Sequence, residues 1–267
     1  MKLSEIYKIA DELAPKCLSD EYCANFGAYD NSGVLVDCGE EIKGIVFTLD
    51  LTLAAIDKAI ALGANLIITH HPSMYGKINH ARFDADDLTE QKLVKCIKNG
   101  ISVISMHLNL DCADGGIDES LAQGIALSAG GALKEQTLQH TLQTGGYGRV
   151  YNVEEVCLSQ LVNGMKKEFS SDRILYYGED VKIARVASFC GSGADERAVI
   201  FAKKMGADVM VSADFKHHVI TMAVESGLAV IVMTHYASEN YGFKKYYEKI
   251  CRQVSVPCVY HEDENLL

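Results

Sequence analysis

Ala55-Ile56-Asp57-Lys58-Ala59-Ile60-Ala61-Leu62-Gly63-Ala64-Asn65-Leu66-Ile67-Ile68-Thr69 is the stretch whose reading decides the fold. It reads as a helix, a Gly-Ala turn and a buried strand, because helical spacing of apolar residues gives way at Gly63 to a short apolar run. Shifted by 143 positions, it falls without a gap on Ala198–Ser212, with four of 15 pairs identical and seven more conservative. A second match, at a shift of 127, sets Gly100–Met106 on Gly227–Met233 with four of seven pairs identical. Two matches in the same order, at similar offsets, make an internal duplication the better reading.

Working outward, further apolar runs read as buried strands: 44–49, 65–69, 101–106, 185–190, 208–212 and 228–233. Between them, 53–62, 88–98, 118–127, 156–168, 196–205 and 218–225 carry helical patterns. Such alternation predicts an α/β protein with largely parallel or mixed sheets. The polar, then glycine-rich stretch 136–149 is the best candidate for a join between halves. The expected lobes are therefore residues 1–132 and 133–267, building one functional unit.

Of 267 residues, 48% are hydrophobic and 23% charged, a globular mixture that argues against disorder as the main state. Lys plus Arg is 25 and Asp plus Glu is 36, so the net charge of −11 argues against direct binding of nucleic acid or an anionic membrane. Nine cysteines, an odd number without a Cys-x-x-Cys pair, point to a reducing cytoplasm. Leu3, Ile6, Ile9 and Leu13 share one helical face at the N-terminus, but charges interrupt it, unlike a signal peptide. The longest apolar runs are far too short to span a bilayer, which takes roughly 18 residues.

Six of the nine histidines follow predicted strands. One strand leads into His70-His71-Pro72, the next into His107-Leu108-Asn109-Leu110-Asp111, and a third, through Thr234, into His235-Tyr236-Ala237-Ser238-Glu239. In open α/β sheets ligands bind beyond the carboxyl ends of strands. Imidazoles and carboxylates gathered there point to two transition-metal ions, because five or six donors exceed what a single four-coordinate zinc uses. Asp111 and Glu239 are natural bridges between two cations, with His70 or His71 capping one and His235 the other. Mixed nitrogen and oxygen donors suit Zn, Fe, Mn, Co or Ni rather than Ca or Mg. His217-His218 form a fourth pair, which either lines the same cleft or starts a surface helix.

These residues resemble the Nif-three-like family, whose members are often labelled GTP cyclohydrolase I type two homologues. Tyr29-Asp30-Asn31-Ser32-Gly33-Val34-Leu35-Val36 resembles an early family block, although this chain lacks its Trp and has Asp37-Cys38 where a Gly is usual. Phe47-Thr48-Leu49-Asp50-Leu51-Thr52, Thr69-His70-His71-Pro72, Gly115-Gly116-Ile117-Asp118 and Gly148-Arg149-Val150 resemble others. So do His107-Leu108-Asn109-Leu110-Asp111, Cys190-Gly191-Ser192-Gly193 and the closing His235 to Glu239 block. The resemblance implies two α/β lobes facing a dinuclear metal cleft, in the compact form without an inserted middle domain. It also implies a toroidal homohexamer and metal ligands at His70, His71, Asp111, His235 and Glu239.

The expected function is a metal-dependent hydrolase using metal-activated water, cyclohydrolase-like by resemblance, on a small-molecule substrate the sequence does not name. His107 or His218 is the expected proton carrier, since imidazole titrates near working pH. The Gly191-Ser192-Gly193 turn either receives an anionic group or makes a tight bend, and Arg149 and Lys216 are candidate cations for a phosphate. The alternatives are a non-catalytic metal carrier or insertase, and a regulatory binding protein.

Overall fold

The computed structural model describes residues 1–74, 88–263 and 266; His80 lies outside them. In chain order the first elements are α1 (Leu3–Leu13), α2 (Lys16–Phe26), β1 (Gly33–Val36), β2 (Ile45–Thr48), α3 (Leu53–Leu62), β3 (Leu66–Thr69), α4 (Leu88–Lys98) and β4 (Ser102–Ser105). Next come α5 (Leu108–Cys112), α6 (Ile117–Ser128), β5 (Lys134–Thr141), β6 (Gly146–Cys157), α7 (Leu158–Glu168), β7 (Leu175–Tyr177) and β8 (Lys182–Ser188). The chain ends with α8 (Glu196–Lys204), β9 (Val209–Ser212), α9 (His217–Glu225), β10 (Ala229–Val232), α10 (His235–Cys251) and β11 (Cys258–Tyr260). Among the described residues, no helix is long and apolar enough to cross a membrane.

The chain forms two compact units, Met1–Ala113 with Phe243–Glu262, and Asp114–Gly242 with Asp263–Leu267. In the first, the described strands form one mixed sheet in the order β1-β4-β3-β2-β11. β11, β2, β3 and β4 run parallel, and β1 closes the edge antiparallel. Val46, Ile67 and Val103 bury one face with Ile56 and Ala59 of α3 and Cys96 of α4. Phe47, next along β2, turns the other way onto the Phe243 and Tyr247 rings of α10, 6.3 and 5.1 Å between centroids. Burial on both faces explains why β2 and β3 read as nearly continuous apolar runs rather than alternating ones.

In the second unit the described strands follow the order β5-β6-β8-β9-β10-β7. β8, β9 and β10 are parallel, while β5, β6 and β7 pair antiparallel. The two matched stretches take the same local form. α3 ends at Gly63 (φ +65°) before β3, and α8 is followed by Gly206 (φ +71°) before β9. Thr52 Oγ1 accepts the Ala55 N–H at the start of α3, and Asp195 Oδ1 accepts the Ala198 N–H at the start of α8. Those caps sit at equivalent positions and satisfy helix-end donors that would otherwise have no acceptor.

Two expectations change. The stretch 136–149, read as a join, forms most of the β5–β6 hairpin inside the second unit, with His140 opposite Tyr147 and Thr141 opposite Gly146. The compact units also divide differently from 132/133. α6 lies with the second unit beside α7, β6 and β8. Phe243–Glu262 return to the first, where β11 pairs with β2.

Candidate metal centre

The parallel register decides what the first unit presents. Thr48 pairs with Thr69, and Thr69 with Ser105, so the ends of β2, β3 and β4 are level. One or two residues further on stand Asp50, His70 with His71, and His107. The donor atoms of His70, His71 and His107 lie within 4.8 Å of one another. α5 begins just after His107, and its first turn brings Asp111 back, so that Asp111 Oδ1 stands 3.5 Å from His70 Nε2. Asp111 is buried, as is His70, whose side chain is 0% exposed.

Each imidazole is held by Nδ1. His70 Nδ1 meets the Met106 carbonyl at 2.7 Å, His71 Nδ1 meets Asp50 Oδ1 at 2.8 Å, and His107 Nδ1 meets Asp30 Oδ1 at 2.7 Å. An Nδ1–H donated to an acceptor leaves the lone pair of the neutral ring on Nε2 and fixes the ring's plane. Burial alone would raise the Asp30 carboxyl. The His107 hydrogen bond and charge outweigh it, with the Ser19 and Ser32 hydroxyls, and hold Asp30 well below the usual carboxylate range. Asp30 is thereby kept anionic opposite the His107 ring.

The second unit repeats the principle with fewer donors. β9 and β10 are level at Ser212 and Val232. His235 follows as the first residue of α10, and Glu239 stands one helical turn later. Their i,i+4 spacing puts both on one helix face, with His235 Nε2 3.0 Å from Glu239 Oε2. Asp214 Oδ2 holds His235 Nδ1 at 2.5 Å, and Asp214 itself has φ +22°, a conformation that L residues rarely adopt. Thr234 Oγ1 accepts the Ala237 N–H and so starts the helix at His235.

The remaining sequence candidates go elsewhere. His218 is exposed, its Nε2 2.7 Å from Glu196 Oε1, and among the described residues it joins none of the clustered donor groups. His217 and Lys216 are exposed at the start of α9. Arg149 does not face an anion site. It is 3% exposed, and its Nε donates to Asp118 Oδ2 at 2.8 Å. The Gly191-Ser192-Gly193 turn is a tight bend, not a cradle. The Gly191 N–H donates to Ser238 Oγ at 3.1 Å, and the Gly193 N–H to the Cys190 carbonyl at 3.3 Å.

Sequence reasoning missed Asp30, Asp50 and Asp214 as the carboxylates that orient the imidazoles. Asp30 and Asp50 lie inside quoted motifs, and Asp214 stands two residues past β9. A search for a carboxylate just beyond each parallel strand would have found Asp50 and Asp214.

The pattern of the Duf34/NIF3 (NGG1p interacting factor 3) family matches residues 1–265. A protein of Clostridium acetobutylicum, named a GTP cyclohydrolase 1 type 2 homolog, is 31% identical over 242 residues, covering 90% of this chain and 85% of that one. Among solved structures, reduced HcgD from Methanocaldococcus jannaschii superposes with a TM-score of 0.80 at 26% identity, covering 98% of both chains. The Staphylococcus aureus hypothetical protein SA1388 superposes with a TM-score of 0.82 at 23% identity, covering 98% of this chain and 97% of the other.

Proposed function

The chain belongs to the Duf34/NIF3 family, and on that premise we propose that it is a metal-dependent hydrolase that uses divalent metal ions held by the histidines and carboxylates at its strand ends. The observation that carries this reading is the uniform holding of His70, His71, His107 and His235 by Nδ1, which leaves the lone pair of each neutral ring on Nε2. A donor set of imidazole nitrogen and carboxylate oxygen fits Zn, Fe, Mn, Co or Ni. His70, His71 and Asp111 are assigned as ligands from the first unit, and His235 and Glu239 from the second. The Clostridium relative's name supports hydrolysis as the reaction class.

Divalent ions bound there would supply Lewis acidity, which acidifies water and stabilises charge developing on an attacked group. His107 is assigned the proton transfer. Its side chain is 21% exposed, more than His70 at 0% or His71 at 12%, and Asp30 fixes the plane of its ring through Nδ1. Asp30 and Asp50 keep the rings in place while a substrate binds. Nine free cysteines support a reducing compartment, the cytoplasm, for this work.

Turnover of metal-loaded protein on a panel of cyclic amides, nucleotides and phosphoesters tests the reading. Hydrolysis of one class, abolished in Asp111→Ala and Glu239→Ala, is expected. Absence of turnover on every member, with metal passing freely to a chelator, would replace the hydrolase by a metal carrier.

A further inference from the structure

Asp118 is 0% exposed and Arg149 3%, a fully buried ion pair on α6 and β6 of the second unit. Asp118 Oδ2 accepts from Arg149 Nε at 2.8 Å and from the Gly148 N–H at 3.1 Å, and Oδ1 accepts the Cys190 N–H at 3.2 Å. The other guanidinium nitrogens donate to Gln136 Oε1 at 2.6 Å and the Gly146 carbonyl at 3.4 Å. For stability alone, apolar residues of the same volume commonly serve as well as a buried pair. The third contact of Asp118 points to a different use, because Cys190 leads directly into Gly191.

Gly191 lies against the donors of its unit. Its φ is +54°; a Cβ there would overlap Glu239 Oε1 and come within 3.1 Å of His235 Nε2. The residue is pinned on both sides. Its N–H donates to Ser238 Oγ at 3.1 Å, and its carbonyl accepts from Ser212 Oγ at 3.1 Å. Ser238 Oγ in turn donates to the His235 carbonyl at 2.8 Å. Contacts therefore run without a gap from Arg149 through Asp118, Cys190 and Gly191 to the helix turn that bears His235 and Glu239.

We propose that Asp118 and Arg149 are positioning residues, which set the Glu239 carboxylate and the His235 imidazole for a metal ion through the Cys190–Gly191 turn. The proposal rests on the metal reading above. It explains why a costly charge pair is buried beside that turn, and why glycine stands at 191.

The test is a Co²⁺ titration of the full chain, following visible ligand-field bands that report coordination geometry. Asp118→Asn is compared with wild type, and so is the paired Asp118→Leu/Arg149→Met, which removes both charges while keeping volume. Both variants are expected to bind Co²⁺ about 10-fold more weakly, as when an outer-shell partner is lost, and with shifted bands. The paired variant is expected to keep its thermal midpoint, and it decides alone if Asp118→Asn does not fold. Folded variants with wild-type affinity and wild-type bands would overturn the proposal. A wild-type chain that takes up no Co²⁺ would instead overturn the metal reading itself.

Discussion

β3 ends at Thr69 and the chain continues His70-His71; at the matching place β9 ends at Ser212 and the chain continues Ala213-Asp214. The backbone units are alike, but the furnishing is not. In the first unit the strand end itself delivers imidazoles, and a neighbouring strand end, Asp50, orients one of them. In the second, the position equivalent to His71 holds a carboxylate, Asp214, which orients His235 from the next strand end. The strand-to-helix junctions, matched at the shift of 127, differ as well. His107 stands just ahead of α5, whereas its counterpart Thr234 caps α10 and passes the imidazole to the next residue. Two segments of like local form thus sit in a donor-rich first unit and a donor-poor second unit with a buried ion pair beside its donors.

The largest expected effect tests that support. Arg149→Ala leaves the Asp118 carboxylate buried without its cation, and should cost about 3–5 kcal/mol in a denaturant titration. A loss under about 1 kcal/mol would mean the pair is not a structural anchor of the second unit.

Next come the orienting carboxylates. Asp50→Ala and Asp214→Ala should each weaken metal binding about 10–100-fold, read by competition with a chromophoric chelator. Equal losses would make the two halves functionally alike; no loss in Asp214→Ala would break the comparison at its centre.

The equivalent helix caps probe the scaffold rather than the site. Thr52→Ala and Asp195→Ala should each cost about 1 kcal/mol of unfolding free energy, by similar amounts if the two units share one local design. Smallest is Lys95→Ala, which removes a half-exposed pair with Asp57 in the first unit and should change stability by less than about 1 kcal/mol.

Much of this layout was legible in the sequence. Runs such as 45–47 and 66–68 are apolar because both faces of their sheet are covered, and that leaves an unambiguous pattern. His70-His71 stood out because a buried strand has no packing use for two imidazoles. What stayed hidden depends on distance along the chain. Asp30 reaches His107 across 77 positions, and only folding shows that a motif residue has an imidazole to hold. The β5–β6 hairpin was obscured because β5 is mostly exposed and therefore polar, so it reads like a linker. Arg149 looked like an anion donor for the opposite reason, since burial of a charge by a distant partner, Asp118, leaves no local trace.

The most direct test of the central claim, that the strand-end histidines and carboxylates of each unit bind metal, is elemental analysis of the folded chain beside His70→Ala and Glu239→Ala. The account predicts about two ions per wild-type chain and a reduced content in each variant, one from each unit. A folded wild-type chain that takes up none, or variants that both keep the full complement, would contradict it.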